Sequence, residues 1–258
     1  MPTTIAIATQ KGGVGKTTLT TMVASLLHYK CDIRCLAVDA DYPQNSLYAL
    51  REREKKAVEA QTRLQDLCNN YYSEKSFGMY PIFRLDKDHY GNLENLLGSI
   101  STSGVDAIMV DLPGSVNQME VLNTLLEIEY VFVPVIPDRV VIESSLSFQF
   151  LLNELKTRFA TRCKLKAVRY FFTQVDARSN GKTLVEQYME PFAKAGMVFL
   201  ETIIPRSVRF GKEPGDYSAI CRSTLLPMSD TSATELKIDS LTNEIIELCQ
   251  LRKKKKTN

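Results

Sequence analysis

The chain has 258 residues, of which 44% are hydrophobic and 24% are charged, and its formal net charge is +2. This balance is typical of a globular protein and excludes an intrinsically disordered chain. Because the net charge is close to zero, it indicates no particular partner, and a nucleic-acid role would require a local basic patch.

Cysteine and histidine usage argues against a structural metal site. The six cysteines form no CxxC pair, and only two histidines are present, so no zinc-ligand spacing occurs. Scattered thiols are typical of a reducing cytoplasm. The N-terminus lacks the cationic start and cleavage site of a signal peptide, and no apolar run reaches transmembrane length. These features predict a cytoplasmic protein.

Strands and helices are predicted to alternate along the chain. The apolar run Ile5–Ala8 predicts a strand, which is followed by a glycine turn and by a helix over Thr17–His28. The later elements, in chain order, are a strand at Arg34–Val38, a helix at Glu52–Leu67, a strand at Met79–Leu85, a helix at Leu93–Ile100, a strand at Ala107–Val110, a helix at Val116–Ile128, a strand at Tyr130–Ile136, a helix at Ile142–Phe159, a strand at Lys166–Phe172, a helix at Gly181–Ala193, a strand at Val198–Ile204 and a helix at Glu235–Leu251.

This alternation, with continuous apolar runs in the strands, predicts an α/β fold. We expect a single domain over residues 1–258, built on a mostly parallel twisted sheet with helices on both faces. Residues 252–258 are expected to form a flexible basic tail, and the charged region Arg51–Tyr90 is the candidate for an insertion. In such folds ligands bind at the carboxyl ends of the strands.

A glycine-rich loop at one of those strand ends predicts a phosphate site. The run Gly12–Thr17 follows a strand and opens a helix, so its backbone N–H groups and the helix N-terminus can surround a phosphate. Lys16 would reach the β- and γ-phosphates, and the Thr17 hydroxyl could coordinate magnesium. The spacing departs from GxxxxGK[ST], because Gln10 stands where the first glycine is expected.

The segment QKGGVGKTT, with a second lysine at Lys11, resembles the deviant Walker A motif of the ParA/MinD ATPases. Four further segments resemble this family in the same order along the chain. Leu36–Gln44 is similar to the family's VDxDPQ segment, Ile108–Gly114 to its DxPG segment, Thr173–Arg178 to the ParA base-side loop, and Thr202–Arg209 to the ParA stretch near the adenine.

The resemblance implies an ATP hydrolase that uses ATP and Mg²⁺, with Lys11, Lys16 and Asp41 as its catalytic residues. Lys11 would reach across a homodimer interface to the partner's phosphates, so that two ATP molecules lie between two subunits. Asp41 would orient the attacking water. The implied nucleotide-binding residues are Lys11, Gly12, Gly13, Val14, Gly15, Lys16, Thr17, Thr18, Asp176 and Pro205.

The same resemblance implies that Thr17, Asp39 and Asp111 hold the metal, the two carboxylates acting through waters. Each aspartate taken alone could instead be a strand-end turn residue or a helix cap. One departure concerns Tyr42, which stands between Asp41 and Pro43 where the family has Asp-Pro. We expect this insertion to leave ATP binding intact and to bear on the hydrolysis rate, which should be slow and partner-stimulated.

In the ParA resemblance, the ATP-bound dimer binds DNA without sequence preference and acts with a ParB-like activator protein. Arg206 and Arg209 are the candidate DNA-binding residues, with Lys212 and Arg222 as further members of a basic surface. Ordinary solvated charge is the alternative. The expected function is to partition or position DNA of a plasmid, chromosome or mobile element, with nucleoid association if DNA is bound.

Three other functions are alternatives to DNA partitioning. A MinD-like protein would attach to membranes through its last helix, but the acidic side of Glu235–Leu251 favours core packing. A dethiobiotin synthetase-like enzyme would need a substrate pocket. An iron–sulfur reductase would need a cysteine soon after the DxPG-like segment, and Ser115–Glu129 has none. Because only about nine residues precede the loop, a helix-turn-helix for operator binding is not expected.

Overall fold

The computed structural model describes residues 1–75, 77–85, 91–114, 118–176, 181–211 and 220–251, with the backbone only for 181–186. Its strands form a sheet in the order β3-β2-β4-β1-β5-β6-β7, and every pairing is parallel. The predicted α/β class is therefore confirmed. The strands are β1 (Thr3–Ile7), β2 (Cys35–Asp39), β3 (Ile82–Arg84), β4 (Ala107–Asp111), β5 (Tyr130–Val135), β6 (Ala167–Val175) and β7 (Phe199–Pro205).

Helices connect successive strands, as parallel pairing requires. They are α1 (Lys16–Tyr29), α2 (Ser46–Ala60), α3 (Thr62–Ser73), α4 (Leu93–Ser99), α5 (Met119–Leu126), α6 (Arg139–Arg158), α7 (Gly181–Lys194), α8 (Asp230–Glu235) and α9 (Ile238–Leu248). A 3₁₀ turn at Val208–Gly211 follows β7.

Helices cover both faces of the sheet, as predicted. Side chains alternate along a strand, so Ile5 and Ile7 of β1 pack with α1, α8 and α9, whereas Ala6 and Ala8 pack on the other face. That second face is covered by α4, α5, α6 and α7. Two apolar cores therefore hold the sheet, and its strand ends remain available for a site.

The helix predicted over Glu52–Leu67 is wrong in its bounds, because the structure has two helices there. The backbone is extended at Gln61, with φ −133° and ψ 107°, which separates α2 from α3. The break lets α3 turn so that Leu64 and Cys68 pack against Leu225 and Leu226 in a third, smaller apolar cluster. Hydrophobic periodicity could not reveal this, since the contacts that bend the chain come from more than 150 residues away.

The helix predicted over Glu235–Leu251 is found as α9, a single helix that is shorter at both ends. Sequence reasoning missed α8, which ends at Glu235 and is separated from α9 by Lys237, whose φ of 58° is left-handed. Leu241 and Ile245 of α9 are fully buried in the core around α1. Core packing of this apolar stripe is therefore confirmed. The predicted basic tail lies outside the described residues, and no described helix is long and apolar enough to cross a membrane.

Candidate functional site

The glycine loop joins β1 to α1 and has the backbone conformation that its glycines permit. Gly13 and Gly15 have φ values of 82° and 88°, where side chains other than glycine are strained. The helix starts directly after the loop, and the Leu19 N–H donates to the Gly15 carbonyl at 2.9 Å. The N–H groups of the first turn consequently have no helical acceptor and are available to an anion.

Lys16 begins α1 and is buried, with 7% of its surface exposed. Burial lowers the pKa of its ammonium group, while the Asp111 and Asp41 carboxylates raise it. Gly114, from the DxPG-like segment, lies beside it. A Cβ built on Gly114 would stand 3.8 Å from Lys16 Nζ and 3.5 Å from Gly12 Cα. The segment after β4 is thus brought against the phosphate loop.

Asp39 and Asp111 end adjacent strands and are register partners across the β2–β4 pairing. Burial raises the pKa of Asp111 to about 8, helped by the Asp39 carboxylate, while the Thr17 hydroxyl lowers it. Both carboxylate oxygens of Asp111 are buried and accept no hydrogen bond of normal geometry from the described residues. Such unsatisfied buried oxygens are costly alone, and they fit a cation with a hydration shell.

Asp39 is arranged differently, because both of its oxygens already have partners. Oδ1 accepts the Asp41 N–H at 3.1 Å and Oδ2 accepts the Tyr48 N–H at 2.8 Å. Burial raises the pKa of this carboxyl, and the backbone donors oppose the shift. Asp39 therefore holds the loop between β2 and α2 in place, much as a helix cap would. The sequence alone allowed either this role or a metal-binding role.

Asp41 lies in that loop, half-buried and close to the phosphate loop. Burial raises the pKa of its carboxyl and the charge of Lys16 lowers it. The Asp41 carbonyl accepts the Asn45 N–H at 2.7 Å, which leads the chain into α2. The structure therefore brings Lys16, Asp39, Asp41 and Asp111 together at one edge of the sheet, where the sequence predicts them.

Lys11 sits at the rim of the loop and is half-buried. Its backbone N–H points to the Thr9 hydroxyl at 3.5 Å, and its side chain makes no ion pair with any described residue. Its contact with a partner's phosphates stays a prediction.

A cavity of about 220 Å³ opens beside the first turn of α1. The residues that line it are Val14, Gly15, Thr18, Leu19, Thr173, Gln174, Arg206, Ser207, Val208 and Phe210. Of the residues predicted near the base, Pro205 ends β7 and Asp176 directly follows β6, and neither lines this cavity. Sequence reasoning missed Thr173, Gln174 and Val208, although they lie in the two segments quoted for the resemblance, and Phe210, which directly follows the second segment. Gln174 has a left-handed φ of 56°, a strain often found at functional positions.

The basic residues proposed for DNA have separate environments. Arg206 is exposed and lines the cavity. Arg209 pairs with Glu235 at 2.7 Å, and 29% of its side chain is exposed. Arg222 donates a hydrogen bond to the Thr18 hydroxyl at 3.2 Å. Lys212 lies outside the described residues. The segments thus do not form one open basic surface on the described part of a single chain.

A glycine loop between a parallel strand and a helix, with buried carboxylates ending the neighbouring strands, defines a P-loop nucleotide-binding protein. Residues 5–219 match the model of the CobQ/CobB/MinD/ParA nucleotide binding domain. The chain therefore belongs to this family, and the resemblance to the ParA/MinD ATPases is confirmed.

A curated relative and two solved structures agree with that assignment. The chromosome-partitioning ATPase Soj of Thermus thermophilus is 29% identical over 219 residues, covering 81% of this chain and 84% of Soj. A plasmid partition protein from Borrelia burgdorferi has a TM-score of 0.60 at 17% identity, covering 96% of this chain and 99% of its own. Cobyrinic acid a,c-diamide synthase from Mycobacterium smegmatis, with bound ATP analogue and magnesium, has a TM-score of 0.64 at 18% identity, covering 98% of each chain.

Proposed function

We propose that the protein is a ParA-like ATPase that binds ATP with Mg²⁺, dimerises around it and binds DNA without sequence preference to partition or position DNA. The observation that carries the proposal is the arrangement of Lys16 between Asp41 and Asp111, beside a loop that also contains Lys11. Lys11 makes no ion pair with any described residue and lies at the rim of the loop, so its charge is available to the phosphates of a partner's nucleotide.

Hydrolysis would rest on positioning and charge neutralisation, as phosphoryl transfer requires. Lys16 would neutralise the β- and γ-phosphates, and Asp41 would orient the attacking water. Mg²⁺ would supply further charge neutralisation beside Thr17 and Asp111. Asp39 would act on the metal through water while its hydrogen bonds hold the Asp41 loop. We expect slow hydrolysis that a ParB-like activator accelerates.

Dimerisation would place Lys11 of each subunit on the partner's phosphates. Light scattering on wild type, Lys11→Ala and Asp41→Ala, each with ATP, ADP or no nucleotide, tests this. Wild type should be dimeric only with ATP, and Asp41→Ala should form the most stable dimer because it retains ATP unhydrolysed. Lys11→Ala should bind ATP and stay monomeric. One unchanging mass in all nine samples would refute the sandwich model.

DNA binding is supported by the similarity to the chromosome-partitioning ATPase Soj and by the exposed Arg206, which lines the cavity. Arg209 is the weaker of the two candidates, since Glu235 neutralises it in the free chain. A dimer would double the number of phosphate contacts. Binding should therefore require ATP, ignore sequence and weaken with salt by a slope of about −0.9 per contact.

Gel shifts on two unrelated duplexes, with ATP or ADP, test this part of the proposal. Arg206→Glu should abolish the shift while ATP-dependent dimerisation persists, and Arg209→Glu should weaken it. A chain ending at Leu251 controls for the basic tail. Loss of binding on tail removal alone would move the DNA surface away from Arg206. A dimer that binds no DNA with any nucleotide would favour a metabolic enzyme of the same family.

The MinD-like alternative finds less support. Its membrane helix would need a free apolar face, but Leu241 and Ile245 of α9 are fully buried. Vesicle flotation with anionic lipid and ATP is the direct check, and we expect the protein to remain with the soluble fraction.

A further inference from the structure

Arg222 contacts a residue of the cavity wall, Thr18, from a distant part of the chain. Its guanidinium Nη1 donates to the Thr18 hydroxyl at 3.2 Å, across 204 residues of sequence. Thr18 lies in the first turn of α1 and lines the cavity. No motif of the phosphate loop includes Arg222, and its position in the sequence offers no hint of this contact.

The chemistry of this hydrogen bond assigns a direction to the Thr18 hydroxyl. A guanidinium group has donors and no acceptor, so the hydroxyl oxygen must be the acceptor. The hydroxyl proton is therefore left for a different partner. Among the described residues, no acceptor is found for that proton. An anion in the cavity, such as a phosphate oxygen, would supply one.

Arg222 is also held in place by its neighbours in the chain. Two residues further along the chain, Thr224 forms hydrogen bonds with three other buried residues. We name this group the Thr224 clasp: Tyr29, Arg51, Glu54 and Thr224. Arg51 donates to the Thr224 hydroxyl at 2.7 Å and to its carbonyl at 2.9 Å. Glu54 accepts the Thr224 N–H at 2.8 Å, and the Tyr29 hydroxyl donates to the Thr224 carbonyl at 2.8 Å.

The clasp limits the freedom of the segment that carries Arg222 before any ligand binds. Arg51, Glu54, Tyr29 and Thr224 are all at least 95% buried, so these hydrogen bonds do not compete with bulk water. A preordered group loses less entropy when a ligand binds than a free surface side chain does. Arg222 thus differs from an ordinary exposed arginine that happens to lie near a pocket.

We infer that Arg222 is a positioning residue for the nucleotide: it orients the Thr18 hydroxyl toward the phosphate chain and adds positive charge at that wall of the cavity. The inference rests on the proposed ATP-binding function and deepens it. It predicts that the contribution of Arg222 to ligand affinity depends on the ligand's phosphates and on the Thr18 hydroxyl.

Calorimetry on the full chain tests both dependences, with ATP, ADP and adenosine as ligands. Arg222→Ala should weaken ATP and ADP binding by roughly 10- to 100-fold, the range for a hydrogen bond to a charged group. Adenosine binding should be unchanged. Arg222→Lys should recover part of the loss, because it restores the charge without the planar fork. Arg158→Ala, an exposed arginine paired with Glu154 on α6, is the matched control and should bind like wild type.

A double-mutant cycle separates positioning from general damage. Thr18→Val combined with Arg222→Ala should weaken ADP binding by less than the product of the two single effects, because both changes remove one coupled unit. Thermal melting without nucleotide should shift little in Arg222→Ala.

Three results would overturn the inference: unchanged ADP affinity in Arg222→Ala, an equal loss for adenosine and ADP, or full additivity in the cycle. Failure of wild type to bind any nucleotide would instead refute the proposed ATP-binding function itself. The two failures are therefore distinguishable in one set of titrations.

Discussion

Two buried polar clusters lie in this protein, and they differ in how completely their groups are paired. In the Thr224 clasp, the Nε, Nη1 and Nη2 atoms of Arg51 all donate to oxygens of Thr224 or Tyr80. In the phosphate site, Asp111 keeps both carboxylate oxygens without such a partner in the described chain. The clasp has its polar side-chain atoms paired except for Oε1 of Glu54, which suits a structural element, whereas the phosphate site has a carboxylate with neither oxygen paired among the described residues, which suits a ligand site.

The largest expected effect is on ligand binding at the phosphate site. Lys16→Ala should abolish ATP binding, because it removes the charge that lies among Asp41, Asp111 and the glycine loop. The loss of stability should be small, since a buried ammonium group stabilises the fold only when paired. Calorimetry and thermal melting measure the two quantities.

Lys11→Ala is the matched lysine control for that variant, five positions away on the same loop. It should retain ATP binding within the subunit. Unchanged ATP affinity in Lys16→Ala would contradict the assignment of the phosphate site.

A change in the Thr224 clasp should instead affect mainly the stability of the fold. Arg51→Ala should lower the free energy of unfolding by about 3–5 kcal/mol, because it leaves the Tyr80 and Thr224 carbonyls buried without their donor and removes the positive charge that favours the ionised Glu54 carboxylate. Urea unfolding measures this. Arg53→Ala, an exposed arginine on the same helix, should cost less than about 0.5 kcal/mol. Equal midpoints for the two variants would show that the clasp does not stabilise the fold.

The stability of the fold should depend on pH through Asp111, whose carboxylate oxygens accept no hydrogen bond of normal geometry from the described residues. Its pKa is raised from 3.8 to about 8 in the nucleotide-free protein, so the folded state binds a proton that the unfolded state has released. The stability that this proton contributes is fully present below the unfolded pKa of 3.8 and is lost as the pH rises through about 8. Denaturant unfolding at a series of pH values should show this decline.

Asp111→Asn is the comparison for the pH series, since it removes the titrating group and keeps the shape. Its stability should decline less with pH than that of wild type. Asp39, Asp41 and Glu54 also have raised pKa values and remain in both proteins, so the difference between the two curves reports Asp111 together with its electrostatic coupling to Asp39 and Lys16. Parallel curves would contradict the raised pKa.

The smallest effect is expected at Gly114. A Cβ there would lie 3.5 Å from Gly12 Cα, which is ordinary van der Waals contact, so Gly114→Ala should change stability by less than about 0.5 kcal/mol. ATP affinity should fall, because the added methyl group would lie 3.8 Å from Lys16 Nζ, the group expected to bind the phosphates. Equal ATP affinity in Gly114→Ala and wild type would indicate that this loop does not face the nucleotide.

Local patterns were sufficient for the strand-to-loop-to-helix start and for the three aspartates. Glycines at Gly13 and Gly15, followed by Lys16, predict the phosphate loop because few other residues tolerate those φ values. Asp39 and Asp111 follow apolar runs, and parallel strands align their carboxyl ends. The division of roles between these two aspartates was not predictable, because it depends on which backbone N–H groups the loop to α2 presents.

The sequence by itself determined the order of strands and helices, the parallel sheet and the identity of the charged residues at its edge. These follow from short-range periodicity and from steric rules that hold within a few residues. Only the tertiary structure decided the break at Gln61, the Thr224 clasp and the contact of Arg222 with Thr18. Each depends on side chains that lie far apart in the chain and meet because the non-helical segment that carries Arg222 and Thr224 packs against α1, α2 and α3, and no local pattern encodes such a meeting.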